Sequence, residues 1–103
     1  MNLKEAFEFA EVKDVKTILC LENKEEIVSL FPNAEIDEEF KKDKYDLIVT
    51  GIEHSYNRYY DYCGFNSCLA VIYNKASEIR MSIVKAGFNL LYELDGVTIA
   101  KKQ

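Results

Sequence analysis

The chain has 103 residues, 49% of them hydrophobic and 30% charged, with a formal net charge of −5 and only four glycines and one proline. That length builds one domain and not two, the balance excludes a disordered chain, and the acidic sign repels polyanions, so nucleic acid is not an expected partner. No run reaches the roughly 18 apolar residues of a membrane span, no signal-peptide pattern opens the chain, and three cysteines fit a reduced compartment, so the expected location is cytoplasmic with no membrane partner.

Leu3, Ala6, Phe7 and Ala10 recur at helical spacing and predict a short helix, with Phe9 beside the stripe. Such a helix can cover a sheet or pair with a second copy. Residues 15–21 (VKTILCL), apolar and β-branched, read as the first strand, with Cys20 as a core residue. Asn23 is placed to cap the next helix, with Glu26 as its capping-box partner. Ile27, Leu30 and Phe31 supply the apolar face, and Pro32 ends the helix because its ring blocks a further turn. Residues 34–36 read as a very short edge strand, and residues 37–43 as a charged turn anchored by Phe40. Tyr45–Thr50 (YDLIVT) is nearly all apolar, as parallel strands covered on both faces are.

Beyond Thr50 lies the most distinctive segment, a polar and aromatic insert over residues 51–64 that holds the single histidine, four of the seven tyrosines and Cys63. In an α/β sheet such a loop leaves the carboxyl end of a strand, where ligands sit. The expected ligand- or partner-binding residues are therefore Thr50, Glu53, His54, Arg58, Tyr59 and Tyr62. Histidine can act as base, acid, ligand or pH switch. An alternative catalytic pair is His54 with Cys63, the thiol expected to be exposed. The plainer reading is a loop histidine bonded to water or backbone. Cys63 and Cys68 are five residues apart, and with His54 they give three soft ligands at most, fewer than structural zinc takes, so no metal is expected. Tyr and Arg are common at interface hot spots. If the insert is helical, Tyr56, Tyr59 and Tyr60 share a side, and the insert then serves as the crossover that parallel strands require.

Residues 68–73 read as the next strand, followed by a helix over 75–86 capped by Asn74. Ala76, Ile79, Ile83 and Val84 line its inner side, Arg80 and Lys85 face water, and Gly87 forms its carboxyl cap. Residues 88–94 and 97–100 form strands joined by the hairpin turn Asp95-Gly96. Phe7, Phe31, Phe40, Phe65 and Phe88 are expected as core or half-buried anchors, and Lys101-Lys102 as solvated. The order predicts a single three-layer α/β domain, a mostly parallel Rossmann-like sheet with an antiparallel carboxyl-terminal hairpin.

The run Tyr45–Val49, then Ile83 to Phe88 (IVKAGF) and Asp95 to Lys102 (DGVTIAKK), resembles the fourth strand, last helix and terminal hairpin of class I (Rossmann-like) S-adenosylmethionine methyltransferases. The resemblance implies a glycine-rich cofactor turn after the first strand, but Leu21-Glu22-Asn23-Lys24 has no glycine there. The acidic residue implied to hold the ribose matches only Glu35 or Asp37. A shortened relative without cofactor binding is the expectation, and a small flavodoxin-type domain fits the element order equally. The leading functional reading is a non-catalytic module that binds a protein partner or its own copy and carries no cofactor. The alternative is a small enzyme or ligand-binding protein, methyltransferase-like or based on His54 and Cys63, with its site in the 50–63 loop.

Overall fold

The structure is a computed structural model that describes residues 3–73, 79–94 and 96–103. In chain order the elements are α1 (Leu3–Phe9), β1 (Thr17–Cys20), α2 (Lys24–Leu30), β2 (Glu35–Asp37), β3 (Tyr45–Thr50), α3 (Asn57–Tyr62), β4 (Cys63–Ile72), α4 (Ile79–Lys85), β5 (Asn89–Leu94) and β6 (Val97–Lys101). The strands form one sheet in the order β2-β1-β3-β4-β6-β5. The first four run parallel, and β6 is antiparallel to both β4 and β5. Among the described residues no helix is long and apolar enough to cross a membrane.

The apolar strand runs explain the layers. Successive strand residues point to opposite faces, so an unbroken apolar run needs cover on both. Ile18, Cys20, Leu47 and Val49 join Leu3, Ala6 and Phe7 of α1 and Ile27 of α2 in one core. Leu19, Ile48, Leu69 and Val71 join Tyr59 of α3 and Ile79 and Ile83 of α4 in the other. Each fully buried Leu or Ile contributes about 1.5–3 kcal/mol of transfer free energy. The expected three-layer, mostly parallel fold with an antiparallel hairpin is the observed one.

Several local expectations are corrected. Asn23 lies in the left-handed region, at φ 54°, and its side chain does not cap α2. Its amide instead donates to the Glu26 carboxylate at 3.4 Å. Strand β4 starts at Cys63, not Cys68: Tyr45 pairs with Cys63 and Leu47 with Cys68, so residues 64–67 form an excursion opposite Asp46. Asn66, at φ 68°, turns that excursion. Its amide donates to the Lys102 carbonyl at 2.7 Å, and the Lys102 amide donates to the Ser67 carbonyl at 2.9 Å. Phe65 rides on the excursion and is 78% exposed, not an anchor, and Val84 of α4 is also exposed. Lys102 is buried, with Nζ donating to the carbonyls of Tyr60 and Cys63 at 2.9 and 3.1 Å. An ammonium there neutralises the negative end of α3. Asn74, Ala76 and Asp95 lie outside the described residues.

The edge strand β2 is fastened by one buried phenol. The Tyr45 hydroxyl donates to Asp37 Oδ2 at 2.7 Å and accepts from the backbone amides of Lys41 and Lys42 at 3.0 and 3.2 Å. Lys42 Nζ pairs with the same carboxylate at 3.3 Å. The Tyr45 hydrogen bond, and after it Lys42, hold the Asp37 carboxyl below its usual range. A depressed folded-state value means that the unfolded chain binds the proton more tightly. The contribution is therefore present above the unfolded value, near about 4, and is lost as pH falls through the folded one. We expect Asp37→Asn to lower Tm at pH 7, and the gap from wild type to close below about pH 4. A gap that stays constant across thermal scans from pH 7 to 3 would refute this.

Candidate functional site

The connections from β1 and β3 diverge, one leading outward to β2 and the other to β4, so the topological switch point lies between the carboxyl ends of β1 and β3. An exposed side chain, that of Glu22, reaches across it. The turn after β1 brings Glu22 against Gly51, where a Cβ would stand 3.0 Å from Glu22 Oε1. The Leu21 amide donates to the Val49 carbonyl at 2.8 Å, and the Cys20 thiol donates to the Glu22 carbonyl at 3.0 Å.

Past Thr50 the chain folds back on α3 through a closed polar network. The Thr50 hydroxyl donates to Glu53 Oε2 at 2.6 Å, and the Tyr59 hydroxyl donates to the same oxygen. Arg58 Nη2 donates to the Tyr59 hydroxyl at 2.9 Å and lies 3.7 Å from Glu53 Oε1. The Tyr56 hydroxyl accepts the Glu53 amide and donates to the Gly51 carbonyl, both at 3.0 Å. Thr50, Tyr56 and Tyr59 are buried. Burial, and then the Glu53 hydrogen bond, push the Tyr59 phenol upward, and burial does the same to Tyr56. Both therefore stay protonated near neutral pH and act as donors, not bases. The Arg58 guanidinium is exposed and lies over the rings of Tyr59 and Phe40, 4.9 and 5.1 Å from their centroids. Tyr62, half-buried, packs on Phe40 at 4.5 Å.

Thr50, Glu53, Arg58 and Tyr59 thus converge, while His54 and Cys63 do not. His54 is exposed beyond the carboxyl end of β3. Cys63 pairs with Tyr45 at the amino end of that strand. Five residue steps separate the two ends, about 16 Å at ~3.3 Å per residue, whereas a general base must lie within about 3 Å of its proton. Cys63 is also fully buried, which corrects its expected exposure, and burial pushes its thiol up to about 12. Asp37, one candidate for a ribose contact, is held by Tyr45 and Lys42. Among the described residues no three of His, Cys, Asp and Glu converge as metal ligands.

The sequence did not single out the opposite end of the sheet. A cleft of about 520 Å3 opens there between the loop after α1 and the β4 excursion, lined by Phe9, Val12, Val15, Phe65, Leu91 and polar neighbours. Phe9 is 72% exposed and Phe65 78%. The available signals were the position of Phe9 off the α1 stripe and the turn-forming residues Gly64, Asn66 and Ser67 around Phe65. No family model matches this chain, and no curated protein matches it.

Proposed function

We propose that the chain is a non-catalytic module of Rossmann-like fold that recognises another protein. The observation that carries this reading is the switch point itself. There the Glu22 carboxylate stands against Gly51, and the polar groups of Thr50, Glu53 and Tyr59 bond to one another. Two further observations support it. His54 and Cys63 lie at opposite ends of β3, and large apolar side chains stand in solvent at both ends of the sheet, Ile52 at one and Phe9 and Phe65 at the other. At the carboxyl end, Ile52, His54 and Arg58 offer an apolar and cationic surface.

The second reading is a methyltransferase-like protein. It draws on the reversed β6 seated between β4 and β5, which agrees with the terminal hairpin of the resemblance. The turn after β1 weighs against it, because it lacks the glycines that let a cofactor approach the backbone and carries the Glu22 carboxylate instead.

A thermal-shift titration with S-adenosylmethionine separates the two. A ligand held at a hundred times its Kd stabilises by about 2.7 kcal/mol, a rise of roughly 10 °C or more in a domain of this size. We expect no rise at about 1 mM, far above the Kd of a working cofactor site. A saturable rise of that size would overturn the module reading.

A further inference from the structure

We infer that the cleft between the loop after α1 and the β4 excursion binds an extended segment of a partner protein, one that sets a bulky apolar side chain beside Phe9 and flanks it with Lys or Arg. The inference rests on the interaction-module reading and adds the surface and the chemistry of the partner.

The surface is larger than the one cleft. A second hollow of about 460 Å3, lined by Glu5, Phe9, Leu91, Tyr92 and Glu93, shares Phe9 and Leu91 with the first. The larger crosses the sheet from Asp46 and Cys68 to Leu91, and the smaller continues along β5, where the sheet ends. A bulge shapes this floor. Leu90 pairs with Ala100 and Tyr92 with Ile99, so Leu91 is the extra residue. Leu90 packs into one core, while Leu91 and Tyr92 both turn to the other, on the α1 side. Two consecutive strand residues thus line one groove, which an unbroken strand cannot do.

The walls are held in place before any partner arrives. The Phe9 ring meets Tyr92 edge-on at 5.5 Å. The loop after α1 is tied back by the Val12 amide donating to the Phe7 carbonyl at 2.8 Å. Of the four non-glycine residues with positive φ among the described residues, Glu11, Asp14 and Asn66 all line this cleft. Left-handed backbone is costly for such residues and concentrates where a surface must take a particular shape. A rigid, exposed aromatic wall loses little entropy on binding.

Charge selects the occupant. Glu11, Asp14 and Asp46 line the larger hollow against Lys13 and Lys101. Glu5 and Glu93 line the smaller, Glu93 being paired with Arg80. With Glu5 and Glu93 both set aside, the larger hollow still holds three carboxylates against two ammoniums. The whole chain carries −5, so a second copy meets like charge across the groove and a basic segment meets opposite charge. The open side of β5 offers backbone groups to an extended chain, and the hollows beside it take that chain's side chains.

A random 12-residue peptide library displayed on phage, selected against the full chain, tests the inference. Enriched peptides should combine an aromatic, Leu or Ile residue with neighbouring Lys or Arg. The leading peptide, made with a fluorescein label, should bind about tenfold more weakly to Phe9→Ser and to Phe65→Ser, and severalfold more weakly at high salt or with its basic residues changed to Gln. Both positions are exposed, and circular dichroism will check that each variant keeps its fold. Enrichment of acidic or uncharged peptides, or binding indifferent to both serine variants, overturns the inference. So does concentration-dependent dimerisation abolished by Phe9→Ser, which makes a second copy the occupant. Binding lost in Arg58→Ala but not in Phe9→Ser overturns the cleft while leaving the module reading intact. Failure to enrich any peptide overturns the inference, and S-adenosylmethionine binding separately overturns the module reading.

Discussion

Replacing Tyr59 by alanine is expected to destabilise the protein by about 3–5 kcal/mol, the range for a fully buried aromatic side chain. The ring has no solvent exposure. It stacks on Phe40 at 6.0 Å and meets Tyr56 at 6.2 Å, so truncation leaves a cavity bounded by two other rings. It also strips Glu53 Oε2 and Arg58 Nη2 of a shared partner. Tyr59→Phe keeps the ring and removes only the hydroxyl. Glu53 retains the Thr50 donor at 2.6 Å, and that change should cost about 1 kcal/mol. Urea unfolding of the two variants at a common m-value measures both quantities. The contrast decides what the aromatic insert is for. A ring kept for a partner would cost little stability when cut away, and a loss under about 1.5 kcal/mol for the alanine variant would remove Tyr59 from the core. A large loss makes α3 the crossover element whose rings hold it to the sheet, and leaves Ile52, His54, Arg58 and the edge of Tyr62 to meet another molecule there.

The same distinction separates what could be read from the sequence from what could not. Strands β1 and β3 were legible because strands covered on both faces need nearly continuous apolar runs, and TILC and YDLIVT are such runs. Pro32 marked the end of α2, and the glycine after Asp95 takes the positive φ, 83°, that its hairpin turn requires. Residue types announced these elements because each obeys a local rule. The start of β4 obeyed none. Gly64, Asn66 and Ser67 carry turn signals, and what draws Cys63 into the sheet is pairing with Tyr45 and the carboxyl-terminal strand's partner, Lys102, which binds the excursion from about 35 positions away in the chain. Lys102 was misread for the same reason: its burial depends on carbonyls of Tyr60 and Cys63 that only the folded chain brings near. At the site, the loop position follows from the strand end at Thr50, whereas the Glu53 bonds to Thr50 and Tyr59 form only because the chain folds back on α3. The aromatic cleft was not legible either, because Glu11 and Asp14 adopt left-handed backbone without a glycine to signal it.

Gly87→Ala is expected to cost about 2–5 kcal/mol, from two separable causes. The residue sits at φ 111°, where its amide closes the end of α4 on the Val84 carbonyl at 3.0 Å. A side chain in left-handed backbone costs about 1–2 kcal/mol, and crowding a packed site costs about 1–3 kcal/mol more. The crowding is specific: a Cβ would stand 2.8 Å from Tyr60 Cε2. That ring cannot easily swing aside, because Phe88 meets it edge-on at 5.3 Å and Lys102 Nζ lies 4.2 Å from its centroid. Removing the ring as well, with Tyr60→Ala in the Gly87→Ala background, should relieve the clash but not the backbone cost. The double variant should therefore be more stable than the sum of the single losses by about 1 kcal/mol or more. Strict additivity in a double-mutant cycle would leave backbone strain as the whole effect. Coupling of the expected sign would instead tie the end of α4 to α3 through the Tyr60 ring.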